Sequence, residues 1–99
     1  MIGPIHPGVT LREDFMEPYG LSGAGLADAL GVSRNRIGSI LRGRCGITAD
    51  TALRLEHAFG VSAAFWLNLQ SHYELELAAR KAGPAIDETV KRFAAPAAA

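Results

Sequence analysis

Ser22-Gly-Ala-Gly-Leu-Ala-Asp-Ala-Leu-Gly-Val-Ser-Arg-Asn-Arg-Ile-Gly-Ser-Ile-Leu-Arg42 is the stretch whose reading decides the fold. Ser22 is a good N-cap, because its hydroxyl can take an otherwise orphaned backbone N–H, and a helix over about 23–30 follows it. Gly23 and Gly25 are poor helix formers and weaken its first turn. Gly31 suits the left-handed position that ends a helix. Ser33 then caps the next helix, about 34–42. Leu26, Ala27 and Leu30 share the inward face of the first of these helices, and Ile37, Ile40 and Leu41 that of the second. A turn of only Gly31, Val32 and Ser33 forces the steep crossing of a helix-turn-helix. Helices that cross so closely need a small residue at the contact, and Ala27 supplies it. The competing reading is an ordinary antiparallel helical hairpin.

The flanking sequence is helical as well. Pro7 opens a first helix over about 8–17, with Leu11 and Phe15 one above the other, and Pro18 and Gly20 stop it. Residues 43–47 form a loop. Thr48 caps a fourth helix, with Asp50 favourably placed in the first turn, an inward stripe of Ala52, Leu55 and Phe59, and Gly60 at its end. Ser62 caps a fifth helix over about 63–81, where Phe65, Leu69 and Tyr73 recur every four residues with Trp66 alongside. No alternating run signals a strand. The expected architecture is all-α: a compact five-helix domain over residues 1–82 and a short C-terminal tail over 83–99. In that tail Ile86, Val90 and Phe93 suit a turn or two of amphipathic helix, and Ala94 to Ala99 a frayed end.

With 99 residues there is room for one core. Ten basic and ten acidic residues cancel, but unevenly. Arg34, Arg36, Arg42 and Arg44 lie between Ser33 and Gly46 without an intervening acid, so this window carries +4 and the remainder −4. A merely solvated helix face would intersperse acids for i,i+4 pairs. A positive pole on one helix and its following loop is the footprint expected for DNA phosphates. Residues near the start of a recognition helix reach base edges, which assigns Arg34, Asn35, Arg36 and Ser39 to base reading. Ser22, Ser33, Arg42 and Arg44 are assigned to phosphates, which position without reading sequence.

Other chemistry finds little support. A single cysteine, Cys45, excludes an internal disulfide and a Cys-rich zinc site; it reads as a bystander in the loop rather than a redox sensor. His6, His57 and His72 lack metal-ligand spacing and read as surface or capping residues. No nucleophile–base arrangement and no phosphate-binding glycine loop is legible. The expectation is a non-enzyme without cofactor, metal or small-molecule substrate. No apolar run suits a bilayer span and the N-terminus lacks signal-peptide regions, so no membrane partner and a cytoplasmic location are expected.

Leu26-Ala27-Asp28-Ala29-Leu30-Gly31-Val32-Ser33-Arg34-Asn35-Arg36-Ile37 resembles the XRE/Cro-type helix-turn-helix. Pro4-Ile5-His6-Pro7-Gly8, the stretch from Arg44 to Leu55 with Gly46-Ile47-Thr48-Ala49-Asp50-Thr51-Ala52, and Phe65-Trp66-Leu67-Asn68-Leu69-Gln70 together resemble the HigA-type antitoxins, the VapI group. The likeness covers about residues 4–75. It implies a lambda-repressor-like DNA-binding domain that forms a homodimer, represses its own operon from operator DNA and neutralises a HigB-type toxin, a RelE-like, ribosome-associated mRNA endonuclease. The sequence departs from the pattern at Gly23, which cannot make the backbone contact that relatives often make near the start of this helix. Two further readings remain: a stand-alone regulator without a toxin, and a helical module whose arginines bind an acidic protein.

One helix-turn-helix offers few base contacts, so two copies about 34–36 Å apart on a pseudo-palindromic operator are expected. The fifth helix carries more apolar residues than one small core needs. Phe65, Trp66, Leu69 and Tyr73 are therefore the candidates for the dimer interface, some facing the core and others a partner. The competing interface is the tail around Ile86, Val90 and Phe93.

Overall fold

A computed structural model describes residues 3–96. Five helical elements follow one another, and no strand occurs among the described residues. Helix α1 spans Pro7–Thr10, continues as a wider π-helical stretch over Leu11–Met16 and ends in a 3-10 turn over Glu17–Tyr19. The expectation of one regular α-helix over 8–17 is thus corrected. In a regular helix the ring of Pro18 would clash with the carbonyl four residues earlier. Wider winding relieves this: Glu17 N–H donates to the Arg12 carbonyl, and Leu21 N–H reaches the Met16 carbonyl at 2.9 Å.

Helices α2 (Gly23–Leu30), α3 (Arg34–Leu41) and α4 (Ala49–Phe59) follow, and each start has the expected cap. Ser22 accepts from Gly25 N–H at 3.0 Å, Ser33 from Arg36 N–H at 3.1 Å, and Thr48 from Thr51 N–H at 3.4 Å. Gly31 is left-handed, with φ 71°, and the turn closes as Val32 N–H donates to the Ala27 carbonyl.

Helix α5 runs over Ala63–Thr89, past the expected end near 81 and through Gly83 and Pro84. Pro84 removes one donor from the helical ladder, but this turn is solvent-exposed, so water can serve the freed carbonyl. Residues 91–96 have no regular structure, and 97–99, the end of the expected frayed tail, lie outside the described residues.

The core is Leu11, Met16, Leu26, Ala27, Leu30, Ile37, Ile40, Ile47, Ala52, Leu55 and Trp66. Leu41 and Phe59, both expected inside, are half-buried at its margin, where Phe59 meets Phe15 edge-on with ring centroids 5.3 Å apart. Helix α2 packs on α3 and α4, α4 on α5, and α1 bridges α3 and α5. The contact between α1 and α3 requires Gly8, because a Cβ there would collide with the Ile40 carbonyl.

Ala27 is fully buried where α2 meets α3. Ala27→Leu is therefore expected to overpack the crossing and lower stability by about 1–3 kcal/mol, visible as a lower midpoint in urea unfolding. An unchanged midpoint would contradict the close crossing.

Candidate nucleic-acid interface

The positive window lies on α3 and the loop that follows it, and all four of its arginines are exposed. Arg34, Asn35 and Arg36 occupy the first turn of α3 and are exposed, while Ile37 and Ile40 anchor the opposite face in the core. Ser39 is half-buried, and its carbonyl accepts from Arg44 N–H at 2.8 Å and Cys45 N–H at 3.3 Å. Ser22 and Ser33 are exposed; each cap spends hydroxyl acceptor capacity and leaves the O–H able to donate to a phosphate.

The loop bearing Arg42 and Arg44 is pinned from three sides. Arg12 donates to the Leu41 carbonyl at 2.6 Å, closing the end of α3. Gln70 of α5 accepts from Ile47 N–H at 2.8 Å, and Gly46 leaves room for that amide, since a Cβ there would strike it. His6 accepts from Gly8 N–H at 2.9 Å, lies beside Gly43 of the loop and stacks edge-on against Tyr73, with centroids 4.9 Å apart. Partial burial pushes the His6 pKa below its ordinary value, outweighing a smaller opposing effect of the Cys45 backbone. This histidine is a loop clamp, and no metal-ligating cluster occurs among the described residues. Gly38 lies under the Arg42 side chain. A Cβ there would stand 3.0 Å from the Arg42 guanidinium, so the glycine lets that side chain lie across α3.

Two of the four window arginines have acidic partners from outside the window. Arg34 meets Asp28 at 3.2 Å, and Arg36 meets Asp50 at 2.9 Å. Asp50 Oδ1 also accepts from Arg54 Nε at 2.7 Å. Hydrogen bonds first from Arg54 and then from Arg36 hold the Asp50 carboxyl below the usual carboxylate range. All of these side chains are substantially exposed, and an isolated exposed pair such as Arg34–Asp28 contributes about 0–1 kcal/mol, so it can rearrange against DNA; Arg36 and Asp50 instead share a network with Arg54, which is tied to the Leu30 carbonyl at 2.8 Å. The role of Arg54 is missed in the sequence. Its i,i+4 spacing from Asp50 is legible there, whereas the Arg36–Asp50 contact exists only once α3 and α4 have both packed on α2.

Trp66 is not available to a partner. It is fully buried, with the Phe15 ring centroid 4.6 Å away and Phe65 at 5.2 Å, so its place among the interface candidates is corrected. Trp66 lies one position past Phe65 on α5, which turns it towards α1 while Phe65, Leu69 and Tyr73 stay half-buried.

A helix-turn-helix family model matches residues 13–66. Virulence-associated protein I of Dichelobacter nodosus is 55% identical over 74 residues, which span 75% of this chain and 68% of the relative. Antitoxin GraA superposes with a TM-score of 0.90 at 44% identity, covering 94% of this chain and all of that one. The Pseudomonas aeruginosa antitoxin HigA, solved with the higBA promoter, gives a TM-score of 0.89 at 43% identity, over 92% of this chain and 99% of that one.

This chain belongs to the HigA-type helix-turn-helix antitoxins. The HigA-type antitoxins are DNA-binding proteins rather than enzymes. In this HigA-type chain no helix among the described residues is long and apolar enough to cross a membrane.

Proposed function

We propose that this antitoxin binds operator DNA as a homodimer, represses its own operon and neutralises a HigB-like mRNA endonuclease. The observation that carries the reading is the exposed first turn of α3, with Arg34, Asn35 and Arg36 displayed beside the pinned arginine loop. Arg34, Asn35, Arg36 and Ser39 read base edges; Ser22, Ser33, Arg42 and Arg44 hold phosphates. The relative solved with the higBA promoter supports operator binding, and a toxin encoded beside this gene is the implied second partner. The cytoplasm, where both targets lie, is the place of action.

The test is fluorescence anisotropy on duplex DNA from upstream of the protein's own gene, against a scrambled duplex, across a salt series. Tight, sequence-dependent binding that weakens steeply with salt is expected. Binding without salt dependence would point instead to an acidic protein partner. Co-expression with the neighbouring gene product should relieve growth arrest caused by that product alone. A chain that binds its operator but gives no relief is a stand-alone regulator.

The half-buried face of α5 carrying Phe65, Leu69 and Tyr73 is the proposed dimer interface. Removing residues 82–99 is expected to leave a dimer in sedimentation, with operator affinity within about twofold of the full chain, because rim contacts add little. A monomeric truncation with its helical signal otherwise intact would move the interface to Ile86, Val90 and Phe93.

A further inference from the structure

We propose that Asp50 is a positioning residue for DNA reading: its carboxylate, braced by Arg54, fixes the Arg36 guanidinium in the pose that presents its free edge to a base. The inference rests on the reading of α3 as the DNA-contacting helix. One oxygen, Asp50 Oδ1, accepts from Arg36 Nη1 at 2.9 Å and from Arg54 Nε at 2.7 Å. Arg54 is itself fixed, because its Nη1 donates to the carbonyl of Leu30 at 2.8 Å and that of Gly31 at 3.4 Å, at the end of α2. Three elements therefore meet through a single carboxylate: the end of α2, the first turn of α3 and the first turn of α4.

The chemistry follows from the shape of arginine. A guanidinium is a planar fork of five N–H donors on a long flexible stem. Asp50 engages Nη1 and leaves the other donors for the acceptor pair on a guanine edge. A reader held in place beforehand loses less rotamer freedom on binding. The same carboxylate has an opposite effect on phosphate attraction. Two guanidiniums around one carboxylate carry a net charge of +1 rather than +2, which lowers affinity for any DNA. Asp50 thus trades indiscriminate affinity for discrimination, and the two effects can be measured separately.

The experiment uses the full-length chain, its own upstream duplex and a scrambled duplex of equal length. Asp50→Asn is expected to bind the scrambled duplex more tightly, with a salt slope steeper by up to about 0.9. Its preference for the upstream duplex is expected to fall about tenfold. Asp50→Glu keeps the charge but displaces it by one methylene. It is expected to restore wild-type affinity for scrambled DNA without restoring the preference. Adding Arg36→Ala to Asp50→Asn should cost little further preference, since both changes disable one reader. An unchanged preference in Asp50→Asn overturns the proposal, as does an equal loss of affinity for both duplexes, which is the mark of a purely structural residue. Arg36→Ala alone separates the two levels. If it lowers preference while Asp50→Asn does not, only the positioning role fails; if it changes nothing, the base-reading assignment of Arg36 fails with it.

Discussion

Trp66→Ala is expected to lower the free energy of unfolding by about 3–5 kcal/mol, as deletion of a fully buried large aromatic does. A domain's whole stability is about 5–15 kcal/mol, so this single side chain carries a large share of it. Trp66 closes the space between α1 and α5, with ring centroids 4.6 Å from Phe15 and 6.4 Å from Phe59. No smaller side chain can keep those contacts without movement of α1, whose Gly8 already lies against the Ile40 backbone. The indole N–H has no hydrogen-bond partner among the described residues. Trp66→Phe, which discards that unsatisfied donor and keeps an aromatic ring, should therefore cost clearly less than Trp66→Ala. Urea unfolding at two protein concentrations checks both points. A loss that appears at low concentration only would return Trp66 to an interface between copies.

Asn35→Ala combined with Arg36→Ala is expected to abolish most of the preference for operator over scrambled DNA while leaving the fold intact. Each bidentate base contact contributes about 1–3 kcal/mol of discrimination, so two lost contacts amount to a factor of roughly 30 to more than 10,000 in preference. Both side chains are exposed, and the core face of α3 is carried by Ile37 and Ile40, so the thermal midpoint should shift little. Arg42→Ala should behave differently, weakening operator and scrambled duplex alike and flattening the salt slope. Anisotropy on the two duplexes decides the matter. Specific binding that survives the double substitution would exclude the first turn of α3 as the reader.

Much of this architecture is legible along the chain because its causes are local. Ser22, Ser33, Thr48 and Ser62 cap helices through bonds to N–H groups three residues away. Gly20, Gly31 and Gly60 end helical elements because each adopts a left-handed conformation that other residues resist. The stripe of Leu26, Ala27 and Leu30 meeting that of Ile37 and Ile40 follows from helical periodicity alone. The positive window is a property of composition. The sequence by itself therefore determined the helix order, the helix-turn-helix, and the positive charge carried by α3 and the loop after it.

Tertiary structure decided what depends on neighbours distant in the chain. The π-helical winding of Leu11–Met16 depends on fitting Pro18 while Leu11 and Met16 stay buried. The α5 apolar residues follow one another too closely to be sorted by spacing, and only packing against α1 showed that Trp66 goes inside while Phe65, Leu69 and Tyr73 stay half-buried. Pro84 and Gly83 suggested an end to α5, yet the helix continues to Thr89, because an exposed turn tolerates a missing donor that a buried one would not. Asp50 is 14 residues from Arg36 and 4 from Arg54, and one carboxylate oxygen serves both only once α4 lies against the end of α2. Local hydrogen bonds and periodicity act over three or four residues and so leave a mark in the sequence. Pairings across the fold arise from packing, whose geometry no single segment contains.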